Sequence, residues 1–164
     1  MMKHILLVLF CLLTANTFGQ HVDILSNDST LLQSYEGLYD VHPQFPGGQD
    51  ALLAYLKNYT RYPKIAEHYG VEGQAIMSFI VDTDGHIKEI SANEVKITKI
   101  FDARFMALTE YEQKMLKERF ARSFARSAYR VIKAMPKWKP GLQKEGNTMH
   151  EVPVKYTLPI TFSM

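Results

Sequence analysis

The stretch from Thr109 to Met135 constrains this chain more than any other. Met115, Leu116, Phe120, Phe124, Ala128, Val131, Ile132 and Met135 recur in it at helical spacing, while Lys117, Arg119, Arg122, Arg126, Arg130 and Lys133 take much of the remainder. The spacing predicts one long amphipathic helix, ended by Pro136, which has no amide hydrogen to continue it. An apolar stripe of that length must be covered by another layer. Its Met-rich and aromatic side therefore reads as core, not as a binding groove.

Three alternating runs supply that layer. Gln74 to Asp82 places Ala75, Met77, Phe79 and Val81 on one face, with Gln74, Ile76, Ser78 and Ile80 on the other. Thr83, Asp84, Gly85 and His86 form a tight turn, where the Asp-Gly pair favours positive φ at both central positions, and Ile87 to Val95 returns as a second strand. Val154, Tyr156, Leu158, Ile160 and Phe162 alternate with Lys155, Thr157, Pro159, Thr161 and Ser163, which makes the clearest strand of the chain. Pro159 places that strand at an edge, because a proline cannot donate to a central ladder.

Two short helices precede the sheet. The prolines and glycines of Pro43, Gln44, Phe45, Pro46, Gly47 and Gly48 turn the chain sharply into a helix over Gln49 to Tyr59, with Leu52, Leu53, Tyr55 and Leu56 on one side and Asp50 in its first turn. Pro63 opens a second helix that runs through Tyr69 and closes at Gly70. Trp138, in the bridge from Lys137 to Gly141, is expected to pack on the sheet. The class is α+β: a three-stranded antiparallel sheet packed on one long helix, with two short N-terminal helices.

The N-terminus carries Lys3 and His4, an apolar run from Ile5 to Leu13, and then Thr14 to Gly19, the order of a cleavable secretory signal. The run is well short of the roughly 20 residues that a spanning helix needs. Residues 1–19 are read as the signal and 20–42 as a polar leader, so the domain is 43–164. The rival is a retained anchor in the inner membrane facing the periplasm. Cys11 is the single cysteine and lies inside the run after bulky Phe10, so lipidation is not expected and the processed chain has neither thiol nor disulfide.

Removing Lys3 leaves 18 basic against 17 acidic residues, yet from Gln113 to Lys144 ten basic residues face only Glu118. The first reading of that run is a solvated helical face; the other is a surface for an acidic partner or an anionic lipid. Nucleic acid is not an expected partner outside the cytoplasm. Asp82, Asp84 and Gly85 begin like a calcium loop, but the later ligands are missing. The five histidines after the signal show no metal-ligand spacing. With no nucleophile elbow, phosphate loop or plausible triad, no catalytic residue, metal or cofactor is expected.

Six motifs in order resemble the TonB C-terminal domain in its Bacteroidetes-type energy-transducer form. They are Pro43 to Gly48, Tyr62-Pro63, Gly70-Val71-Glu72-Gly73, Val81 to Gly85, Met135 to Gly141, and Val154 to Ile160, spread along Pro43 to Phe162. The resemblance implies a periplasmic module that grips a short extended segment, the TonB box, of a TonB-dependent outer-membrane transporter or another envelope protein by strand addition. It points to Val154, Lys155, Tyr156, Thr157, Leu158, Pro159, Ile160, Thr161 and Phe162 as the receiving strand, and to Arg61, Tyr62 and Pro63 as its neighbours, with Arg61 where better-known members carry Gln. A retained anchor would imply an energy transducer that meets the ExbB and ExbD motor, but a proline-rich spacer is missing before the domain. A homodimer through the same edge is the structural alternative. Residues 96–112 stand as an insertion relative to the family.

Overall fold

The computed structural model describes residues 39–164. The signal segment and most of the leader lie outside the described residues. Helix α1 (Gly48–Tyr59) starts after Gly47, whose φ of 85° makes the sharp turn that its two glycines and prolines suggested, and it buries Leu52 and Leu56 one turn apart. Pro63 then caps a one-turn helix, α2 (Lys64–His68), and Gly70 at φ 59° passes the chain to the sheet.

Strand β1 (Val71–Val81) begins three residues before the expected Gln74, because Gly73 belongs to it. A strand seldom keeps a glycine without reason, and here the reason is packing. A Cβ at Gly73 would stand 2.8 Å from the Phe124 ring and 2.6 Å from the Lys96 carbonyl oxygen. Strand β2 (Ile87–Ile100) also runs beyond the expected Val95, pairing as far as Val71↔Ile100. Three register shifts interrupt this ladder, and Glu89, at φ 51°, lies in the one nearest the hairpin. Such bulges insert residues into one strand and increase its twist.

After Ile100 comes a short helix, α3 (Ala103–Met106), capped by the Asp102 side chain. The long helix is α4 (Glu110–Lys133). Thr109 and Glu112 close a capping box at its start: the Glu112 amide donates to Thr109 Oγ1 at 3.3 Å, and the Thr109 amide to Glu112 Oε2 at 2.9 Å. Thr109 holds the Glu112 carboxyl below the usual glutamate range, first through its side chain and then through its backbone. Phe120, Phe124, Ala128, Val131 and Ile132 are buried as expected. Met115 is not: it is 39 % exposed. Its neighbour Leu116 packs against the core instead, about 100° round the helix.

The structure adds an element that the periodicity did not predict, a hairpin of β3 (Gly141–Glu145) and β4 (Thr148–Val152) forming a separate two-stranded sheet. Strand β5 (Val154–Phe162) then completes the main sheet in the order β2-β1-β5, antiparallel throughout. The core lies between α4 and one face of this sheet, where Ala75, Met77, Phe79 and Val81 of β1 and Ile160 and Phe162 of β5 are fully buried. The fold is thus α+β, a three-stranded antiparallel sheet on one long helix.

The β1–β2 turn differs from the expectation in detail. The Gly85 amide donates to the Asp82 carbonyl at 2.8 Å, and of the turn residues only Gly85 has positive φ, at 80°. A turn of ordinary hand followed by one left-handed residue therefore replaces two left-handed central residues. Asp84 braces the turn, accepting from the His86 amide at 2.9 Å and contacting His86 Nδ1 at 2.7 Å. These bonds, the backbone one foremost, lower its carboxyl to about 2.

Gly85 has a second constraint that Gly146 lacks. A Cβ on Gly85 would lie 2.1 Å from the Trp138 carbonyl oxygen, whereas one on Gly146, at φ 61°, would meet nothing within 4 Å. Gly146→Ala should cost about 1 kcal/mol, from backbone strain alone, and Gly85→Ala at least twice that, read from urea denaturation midpoints. Because the folded pKa of Asp84 is depressed, its contribution is present above about pH 4 and fades as pH falls towards 2. Carboxyl-carbon NMR shifts should titrate Asp84 near the lower value, and an ordinary aspartate titration there would refute the brace.

Candidate functional site

In an antiparallel pair, successive residues turn their backbone groups alternately towards and away from the partner strand. Pro159 pairs opposite Ile76 and has no amide hydrogen, so its position belongs to the outward-turned set. The set that bonds β1 is then Val154, Tyr156, Leu158, Ile160 and Phe162, whose side chains also face the core. Thr157 and Thr161 share the parity of Pro159 and turn their amides to the far side of β5. Among the described residues no strand pairs with that side. The edge thus turns the Lys155, Thr157 and Thr161 amides outward, with a gap at Pro159 before the last.

Two aromatic clusters hold the ends of this strand. At its end, Phe162 stacks on Phe124 with centroids 4.5 Å apart, and Tyr62 meets both rings edge-on at 6.0 and 6.1 Å. The Tyr62 hydroxyl donates to the Val71 carbonyl oxygen. Burial, foremost, with Glu72 and Glu67 nearby, pushes the Tyr62 hydroxyl well above its ordinary pKa. At the start, Tyr156 lies 5.0 Å from Trp138 and stacks on Phe79 at 5.6 Å. Phe45 also meets Trp138 edge-on at 5.6 Å. The Trp does pack on the sheet, as its bridge suggested.

Backbone bonds fasten this second cluster. The Gln44 amide donates to the Lys139 carbonyl at 3.0 Å and the Lys139 amide returns the bond at 2.8 Å, while Val41 bridges Leu142. Gly141 lets the crossing chain approach β5, since a Cβ there would stand 2.4 Å from Val154 Cγ2. Cavities of about 360 and 390 Å³ flank the same end of the strand. Val154 and Lys155 line the first with Tyr39, Ser78 and Glu89; Tyr156 lines the second with His42 and Trp138.

The structure gathers the nine residues from Val154 to Phe162 on one edge and joins Tyr62 to its last residue. Arg61 and Pro63 are held differently. Arg61 is exposed and its carbonyl accepts from the Ser127 hydroxyl of α4, while Pro63 caps α2. The sheet face turned away from α4 is an addition to the expected site. Ser78, 1 % exposed, bonds Ser91 at 3.0 Å and Asn93 at 2.8 Å; Gln74 Nε2 donates to Thr161 Oγ1 at 3.1 Å; and Ile76 and Ile80 are only half-buried. The signal for it was the mixed polarity of Gln74, Ile76, Ser78 and Ile80. Among the described residues no cluster of three metal-ligating side chains exists, and no helix is long and apolar enough to cross a membrane.

No family model and no curated protein matches the chain. Among solved structures it is similar to two NMR solution structures of the Helicobacter pylori TonB C-terminal domain. One is 19% identical with a TM-score of 0.42, covering 73% of this chain and 86% of that one. The other is 18% identical with a TM-score of 0.40, covering 70% and 90%.

Tyr62 is the neighbour that the geometry joins to the strand, and its hydroxyl can be tested alone. Tyr62→Phe leaves the Val71 carbonyl without its donor and should cost about 1 kcal/mol at neutral pH. A raised folded pKa gives stability that is full below about pH 10 and is lost above it, as the unfolded chain ionises first. Wild-type stability should therefore fall more steeply with pH above 10 than that of Tyr62→Phe; equal slopes would show that the hydroxyl is not buried.

Proposed function

We propose that this chain is an exported, periplasmic protein-binding module that takes an extended segment of an outer-membrane transporter or another envelope protein as a fourth strand on β5. The observation that carries the reading is the unpaired side of β5, with the Thr157 and Thr161 amides turned outward and Pro159 between them. The six sequence motifs that resemble the TonB C-terminal domain support it, and that family's TonB box is the natural ligand class. Strand addition draws affinity from backbone bonds and specificity from pockets that take alternate side chains. The two cavities beside Val154, Lys155 and Tyr156 stand where such pockets are needed. At about 1 kcal/mol net per backbone bond, a few such bonds do not suffice alone, so the pockets must add to the affinity.

Position parity makes the test selective. Thr157→Pro and Thr161→Pro remove outward amides and leave the β1 ladder intact, whereas Leu158→Pro removes an inward one and should unfold the sheet. Synthetic peptides from the N-terminal plug segments of the same organism's outer-membrane transporters should bind the wild-type chain and shift the NMR amides of Thr157 and Thr161. The double Thr variant, still cooperatively folded by circular dichroism, should bind at least about tenfold more weakly. Undiminished binding in that variant would move the site off β5. A mass in solution that doubles with concentration, and reverts in the same variant, would instead assign the edge to self-pairing.

A further inference from the structure

We infer that the solvent-facing row of α4 docks this protein onto a membrane surface bearing anionic phospholipid headgroups. The inference stands on a different element from the strand reading and does not depend on it. Arg119, Arg122, Arg126, Arg130 and Lys133 are all exposed and separated by three or four residues, so they share one side of the helix. They span about 21 Å at 1.5 Å per residue. The opposite row, with Phe120, Phe124 and Val131, is buried against the sheet. The cationic row therefore faces away from the sheet and leaves the β5 edge unobstructed.

Exposed helices commonly alternate acid and base along such a row, where pairs four apart attract. This row does the reverse. Arg122, Arg126 and Arg130 follow one another at that interval, which costs the helix stability through repulsion of like charges. Among the described residues none of the five makes an ion pair, since the ion pairs involve Asp82, Asp84, Glu72, Glu94 and Asp102. Arg122 donates only to the Glu118 backbone carbonyl, at 3.3 Å, and Lys133 lies over the Tyr129 ring at 5.8 Å. Glu112, the carboxylate at the head of the row, is occupied by Thr109.

A second observation separates a membrane from a soluble acidic partner. Upstream on the same row stand Tyr111, 73 % exposed, and Met115, and the segment leading into the helix exposes Phe101 by 61 % and Met106 by 74 %. Large apolar side chains beside a line of cations are what an interfacial helix presents, the first entering the headgroup boundary and the second meeting phosphates. The row lies on the solvent side of the helix, and neither of the two cavities at β5 is lined by a residue of α4. A flat array of phosphates can meet five cations on one side of a helix at once.

Vesicle co-sedimentation of the full chain, on phosphatidylcholine with and without phosphatidylglycerol, tests the assignment. The N-terminal apolar run is common to all variants, so the ratio of binding to anionic over neutral vesicles reports the row. That ratio should be well above one at low salt and collapse in 1 M salt, where the screening length is about 3 Å. Each neutralised cation should lower anionic binding about fivefold, so Arg122→Gln with Arg126→Gln should lower it about 25-fold, while Arg122→Lys with Arg126→Lys stays within about twofold of wild type. Tyr111→Ser with Met115→Ser should weaken it further at fixed charge. A ratio near one, or equal binding by the Gln pair, overturns the inference. So does retention of soluble polyglutamate by a chain that ignores anionic vesicles, which would assign the row to an acidic protein.

Discussion

Phe124 rests on a strand position that carries no side chain. Its ring occupies the space above Gly73 and stacks on Phe162, and from that one close approach the arrangement of the molecule follows. The helix lies down across β1, so one row of α4 is fixed in the core and the row opposite is fixed in solvent. Tyr62 closes the cluster edge-on and hands its hydroxyl to Val71, which ties the α1–α2 connection to the start of the sheet. Removing a buried ring of this kind typically costs about 3–5 kcal/mol, a large share of what holds a domain of this size together.

The second anchor, at Trp138, has a different character. There the chain from Val41 to Gln44, the turn at Gly85 and the bridge to Gly141 converge, joined by backbone bonds and by glycines that admit close passage. Several motifs that resemble a known family in sequence thus turn out to be one another's packing partners. Pro43 to Gly48 meets Met135 to Gly141, which meets the Val81 to Gly85 turn through Trp138. Such residues explain why the chain takes its shape. The proposed binding rests instead on the edge of β5 and on the solvent row of α4, where fold alone carries no message.

Legibility followed burial. Helix α4 and strands β1 and β5 bury one face each, so period 3.6 and period 2 stand out in their residues. The β3–β4 hairpin leaves no such trace, because Gln143, Lys144, Glu145, Met149, His150 and Glu151 are exposed on both faces. Its one cue is Gly146-Asn147, a two-residue turn between paired Glu145 and Thr148. The early start of β1 was hidden by Gly73, and the late end of β2 by bulges that break the alternation. Thr109 and Glu112 spelled a capping box in plain sequence. At the edge, Pro159 alone revealed position, since a proline has one tolerable place in such a strand. Arg61 carried no comparable cue, and its backbone tie to Ser127 depends on how α4 is placed. Which basic residues face water was likewise settled only when Phe124 fixed the rotation of the helix.

Pro159 has a consequence for how the protein meets other chains. A sheet edge with every amide presented is a template on which any stray strand can grow, and growth of that kind is open-ended. An interrupted edge is not. A strand laid along β5 has one position at which its carbonyl finds no donor, so only a segment whose other contacts offset that loss stays in place. The proline makes promiscuous pairing unprofitable and guards the chain against its own copies, since two such edges set together would bring two gaps to the same junction.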